Sequence, residues 1–149
     1  MGVDTYSSLA ARVRTLLPRA GRTRVIAVDG PAGSGKSSFA RRLAAALDAP
    51  IVQLDELCPG WGGLDQAAAR LVEWILAPLA NGLPARFRRY DWEQERYREW
   101  HELPDGPVLI VEGVTSGSRL AAPYLSLLIW VTASPHVRMA RGIERDGES

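Results

Sequence analysis

The stretch Gly30-Pro31-Ala32-Gly33-Ser34-Gly35-Lys36-Ser37 fits the pattern G-x-x-x-x-G-K-S at every fixed position. It constrains the fold because of what flanks it. Arg24 to Asp29 is a short apolar, β-rich run that reads as a buried strand. Lys36 to Leu47 is rich in Ala, Leu and Arg and reads as a helix, stopped near Pro50. Glycines between a strand and a helix let the backbone curl so that successive N–H groups point inward at an anion, and the helix adds its positive dipole end. Gly30, Ala32, Gly33, Ser34, Gly35, Lys36, Ser37 and Ser38 are therefore candidate binders of a nucleoside triphosphate. In that geometry Lys36 reaches the β- and γ-phosphates, and the Ser37 hydroxyl holds magnesium. The plain alternative is a Gly-rich turn with a chance lysine, and the strand before the loop and the helix after it argue against that.

The rest of the chain alternates in the same way. Ser7 to Leu17 reads as an amphipathic helix with Leu9, Val13, Leu16 and Leu17 on one face, ended by Pro18 and Gly21. Ile51 to Leu54 is a second short strand, and Asp65 to Leu79 a helix with apolar positions at helical spacing. Residues 85–104 are polar and aromatic without a period, so an irregular lobe or a short hairpin is expected. Val108 to Val111 and Leu125 to Thr132 are a third and a fourth strand. Ser134-Pro135 forms a good N-cap and first turn for a helix running to about Arg145. Strands alternating with helices imply an α/β fold with a parallel sheet covered on both faces, and ligands bind at the carboxyl ends of such strands.

Bulk properties exclude several classes. The length suits one domain with a real core, and 46% hydrophobic with 23% charged residues is the soluble globular range. A net charge of +1 argues against a general nucleic-acid binder. One cysteine, Cys58, excludes an internal disulfide framework and a Cys-based zinc site, and fits a reducing cytoplasm. No N-terminal apolar run reads as a signal peptide, and the most apolar stretch, Leu125 to Val131, is too short to span a bilayer, so no membrane role is expected.

Carboxylates follow two of the strands. Phosphoryl transfer needs one carboxylate to orient or deprotonate an acceptor hydroxyl and another beside magnesium. Asp55 suits the first role and Glu112, which closes the apolar run 108–111, the second. The plain alternative is that both are solvated strand-end acids, which the neighbouring glycine-rich loop argues against. Glu56 reads as solvated and Asp29, one residue before the loop, as structural. Arg138, Arg141 and Arg145 share one face of the expected helix, either as a phosphoryl clamp or as a solvated face. Between Arg86 and Trp100, rings such as Tyr90 and Trp92 could stack on a base, with Asp91 bonding a sugar, or could form a satellite core under an irregular loop. Trp61 could line the same pocket. His101 and His136 lack partners at metal-ligand spacing.

Taken in order, Val28-Asp29-Gly30-Pro31-Ala32-Gly33-Ser34-Gly35-Lys36-Ser37, Leu54-Asp55-Glu56-Leu57 with Pro59-Gly60-Trp61, Arg89-Tyr90-Asp91-Trp92 and Val111-Glu112-Gly113 resemble the small P-loop kinases of the uridine kinase and phosphoribulokinase type, especially short uridine-kinase-like proteins of high-GC bacteria. The resemblance covers about residues 22–147. It implies a three-layer P-loop NTPase fold with strand order 2-3-1-4, preceded by an N-terminal helical extension over residues 1–21. It further implies an acceptor base at Asp55, a magnesium-side carboxylate at Glu112, and nucleoside contacts at Tyr90, Asp91 and Trp92 within an acceptor segment 85–104. Residues 134–149, with catalytic Arg138 and Arg141, would begin a lid closing on ATP. Glu56 stands where these kinases often carry Asp. Such kinases continue to a further strand after the lid, so the resemblance implies a chain cut short with its fifth strand missing. The strand at 125–132 would then be an open edge, available to a second copy.

The expected activity is ATP- and magnesium-dependent phosphorylation of a small-molecule hydroxyl, a nucleoside such as uridine. Other acceptors (pantothenate, a sugar, a nucleotide) and a nucleotide-binding module without turnover are the rival readings.

Overall fold

The protein is described by a computed structural model covering residues 3–58, 64–132 and 137–140. Its centre is a five-stranded sheet. Four strands are parallel: β1 (Arg24–Asp29), β2 (Ile51–Gln53), β7 (Val108–Glu112) and β8 (Leu125–Val131). They lie in the order β2-β7-β1-β8, the order the resemblance implies, with β1 central. Central strands of a parallel sheet are covered on both faces, which explains why RVIAVD and VLIVE are nearly unbroken apolar runs.

Side chains alternate across the sheet, so each strand feeds two cores. Ile26, Val28, Ile110, Leu127 and Ile129 face one way, toward α1 (Val3–Arg14) and α2 (Lys36–Leu47). Here Tyr6, Leu9, Val13 and Leu16 pack with Phe39, Leu43 and Leu47, the Tyr6 and Phe39 rings lying 5.4 Å apart. Val25, Ala27, Leu109 and Val111 face the other way, against Leu71, Ile75 and Leu76. These last belong to a helical rod made of α3 (Leu64–Leu71), a π-helical turn over Val72–Leu76 and α4 (Ala77–Ala80). The three layers are thus helices, sheet, and helices with a small lobe. Leu17, expected on the buried face of α1, is instead 81% exposed, because the helix stops at Arg14 and the chain has already turned.

Residues 85–104 form a nested, irregular hairpin. β3 (Arg86–Phe87) pairs with β6 (His101–Glu102), and β4 (Tyr90–Asp91) pairs with β5 (Arg96–Tyr97). Each rung is only two residues long, which is why no strand period shows in the sequence.

The C-terminal expectation is corrected. In place of a helix over 134–145, Val137–Ala140 is a strand, β9, antiparallel to β8, with Trp130 opposite Arg138. An exposed strand edge is a row of unpaired N–H and C=O groups, whereas an isolated helix of about twelve residues is marginal in water. Pairing with the edge therefore wins. β9 also occupies the edge that sequence reasoning left open for a second copy. Ser134, Pro135, Arg141 and Arg145 lie outside the described residues.

Candidate active site

The loop Gly30–Ser37 leaves β1 at its carboxyl end and runs into α2. Gly35 caps the helix with φ 89°, and no side chain bonds its first turn. The early N–H groups of an α-helix have no partner within it, so those of Lys36, Ser37 and Ser38 are left for an anion. Gly33 has φ 77°, and nothing lies within 4 Å of where a Cβ would stand at Gly33 or Gly35. The loop is therefore uncrowded where a side chain at either glycine would project. Pro31, Ala32 and Ser38 are exposed on this loop. The Lys36 ammonium donates to the Pro31 carbonyl at 3.3 Å, which holds it over the loop. The Ser34 hydroxyl is buried and has no hydrogen-bond partner among the described residues. An orphan hydroxyl beside the unpaired N–H groups of a helix start fits a phosphate.

Gly30 is fixed differently. Its φ is 149°, and a Cβ there would run into the Val131 carbonyl oxygen of β8. Gly30→Ala is expected to cost about 3 kcal/mol of stability through backbone strain and overpacking. Chemical denaturation reads this directly, and an unchanged midpoint would contradict it.

Asp29 is buried and organises the neighbourhood. Its Oδ1 accepts from Gly30 N at 2.7 Å and Thr115 N at 3.2 Å, and its Oδ2 from Gly117 N at 2.9 Å. This one carboxylate ties the start of the glycine-rich loop to the segment that follows Glu112. Ser116 Oγ adds a bond to the Val28 carbonyl at 3.0 Å.

Glu112 ends β7 and is 4% exposed. Its Oε1 accepts from Ser37 Oγ at 2.9 Å and from Gln53 Nε2 at 3.2 Å. The loop serine and the strand-end carboxylate chosen from sequence are thus in direct contact. Gln53 is the residue sequence reasoning missed. Its signal is register, since Gln53 pairs with Glu112 across parallel strands. Among the described residues no group of three His, Cys, Asp or Glu side chains could hold a metal by itself. A hydroxyl and one carboxylate, both oxygen donors, suit a hard ion such as magnesium, which takes one or two protein ligands and completes its shell with phosphates and water.

Asp55 lies two residues beyond Gln53, exposed on the 3₁₀ turn Leu54–Glu56 at the same sheet edge. Glu56, read as solvated, instead pairs with Arg89 of the hairpin at 2.9 Å. The Tyr97 hydroxyl donates to the Leu57 carbonyl at 2.9 Å. Both contacts dock the hairpin beside Asp55.

Within the hairpin, Tyr90 packs edge-on against Trp92 and Tyr97, with centroids 5.5 and 5.3 Å away. Desolvation first, then Glu95, Tyr97 and Asp91, hold the Tyr90 phenol above its usual range. Trp92 is 48% exposed. Asp91 shapes the tip: its Oδ1 accepts from Glu93 N and Gln94 N at 2.9 and 3.0 Å, and its Oδ2 lies 3.7 Å from Arg98. The aromatics also face inward. Trp74, carried by the π-helical turn, meets Trp100 at 5.0 Å and Tyr97 at 5.8 Å. His101 stacks near Phe87. Burial pushes the Cys58 thiol up, with Arg70 opposing. Arg138 sits in β9, so the helix face it was to share does not exist at that position. Arg141 and Trp61 lie outside the described residues.

No protein-family model matches the chain. The fold matches a possible uridine kinase from Bacillus stearothermophilus, with a TM-score of 0.64 at 17% identity over 85% of this chain and 79% of that one. It also matches a candidate fructose transport system kinase from Silicibacter sp. TM1040, with a TM-score of 0.56 at 22% identity over 84% of this chain and 73% of that one. The chain therefore has the P-loop kinase fold. In sequence, 67 residues, 45% of the chain, are 63% identical to a bifunctional pantoate ligase/cytidylate kinase from Synechococcus sp. (strain JA-3-3Ab). That match spans 10% of the larger protein's length. No helix among the described residues is long and apolar enough to cross a membrane.

Proposed function

We propose that the chain is an ATP-dependent phosphotransferase that moves the γ-phosphate to a hydroxyl of a small molecule, a nucleoside of the uridine type. The observation that carries this is the contact of Ser37 with Glu112 at 2.9 Å, with Asp55 on the neighbouring strand end. A phosphate loop, a magnesium-side carboxylate and an acceptor-side carboxylate on one sheet edge are the parts phosphoryl transfer needs.

In this reading the loop N–H groups and Lys36 hold the triphosphate. Asp55 takes the proton of the acceptor hydroxyl as its oxygen bonds to the γ-phosphorus. The bond to the bridging oxygen breaks, and ADP leaves. Magnesium held by Ser37 and Glu112 would neutralise charge on the phosphates. Arg138 and Arg141 are assigned to the same charge stabilisation. Tyr90 and Trp92 offer faces for a base, while Asp91 has its carboxylate committed to the turn.

The name of the cyanobacterial relative favours one further acceptor class, nucleoside monophosphates. The test is ATP consumption with a panel of nucleosides, their monophosphates, pantothenate and sugars. Turnover with uridine or cytidine supports the first reading, and turnover with CMP or UMP alone the second. Tight ATP binding with no acceptor-dependent turnover would sink both.

A further inference from the structure

The Glu56–Arg89 pair joins two parts of the chain that have different jobs in the proposed reaction. Glu56 is adjacent to Asp55 on the turn after β2. Arg89 directly precedes Tyr90 in the hairpin, and its guanidinium lies 5.3 Å over the Phe87 ring while its Nε contacts Glu56 at 2.9 Å. The Arg89 carbonyl accepts from Arg98 N at 2.9 Å, so this residue is held by both strands of the hairpin. The second tether, Tyr97 to the Leu57 carbonyl, lands on the residue that follows Glu56. The lobe also rests on the helical rod, where Trp74 meets Tyr97 and Trp100. The lobe is thus anchored on the helical rod and latched onto the turn that carries Asp55.

We infer that Glu56 and Arg89 are positioning residues that set the distance between the acceptor-binding lobe and Asp55, and so govern acceptor affinity without touching the nucleotide. This rests on the phosphotransferase reading. Both side chains are partly exposed, 36% for Glu56 and 47% for Arg89, so the substitutions below should leave the fold intact. That exposure also limits the effect to about fivefold, the upper end for a solvent-accessible ion pair.

The experiment compares Arg89→Glu, Glu56→Arg and the double swap, using the best acceptor found for the wild type. Each single change is expected to raise acceptor KM about fivefold while kcat and the KM for ATP stay unchanged. The swap restores the ion pair and should bring acceptor KM back. The inference is overturned if the singles leave acceptor KM alone, if they shift both KM values alike, or if the swap is no better than the singles. If the wild type phosphorylates no acceptor, the phosphotransferase reading fails by itself. The latch is then judged by hydrogen exchange at the Arg98 amide, which should quicken in the singles and recover in the swap. Exchange unchanged in all three would overturn it.

Discussion

Asp55→Asn is expected to lower kcat by about 10²–10⁴-fold, the range for loss of a general base. ATP binding should stay at the wild-type level. The two expectations separate because Asp55 lies on the turn after β2, while the phosphate loop leaves β1, two strands away. Asn keeps the size and hydrogen-bonding capacity of the side chain but cannot accept the acceptor's proton. Steady-state rates with the preferred acceptor, beside ATP titration calorimetry, measure both quantities. Equal rates for the two proteins would remove Asp55 from the chemistry and leave its exposure as its only explanation.

Lys36→Met should weaken ATP binding by about 30-fold or more, since removing one partner of a charge-assisted contact costs about 2–5 kcal/mol. Methionine preserves the length and flexibility of the side chain, so the loss isolates the charge. Among the described residues the ammonium bonds a carbonyl of its own loop, at 3.3 Å, so its removal should barely alter folding stability. Binding within about twofold of the wild type would mean that backbone N–H groups alone hold the phosphates.

The legibility of this chain divides along physical lines. The strands Arg24–Asp29 and Val108–Glu112 and the helix Lys36–Leu47 are written locally, because a strand buried on both faces must be apolar throughout and a glycine loop must precede the helix it opens. The Ser37–Glu112 contact is reachable for the same reason: Glu112 closes β7, and Ser37 opens the helix that follows the adjacent parallel strand β1. Other features depend on partners distant in sequence. Gln53 gains meaning only from its register with Glu112, and Glu56 only from Arg89, thirty-three positions on. The helix expected around Arg138 gives way to a strand because Val137 to Ala140 carries a weak local preference that the free edge of β8 overrides. The Asp91 carboxylate, expected to contact a sugar, also accepts two N–H bonds from the backbone of its own turn, a local pairing common for short acidic side chains.

The wide turn at Val72–Leu76 carries its own consequence. Ala77 N bonds the Val72 carbonyl, five residues back, so the rod holds one residue more than a regular helix of its length. One residue advances an α-helix by about 100°. The surplus residue therefore acts as a phase shifter: Leu71, Ile75 and Leu76 keep their grip on the sheet while Trp74 is turned out to the lobe. Deleting a single residue from this turn would restore helical regularity and at the same time force a choice between those two faces. A change that improves the helix by every local measure would loosen the lobe's hold on the rod, leaving its tethers to the turn after β2.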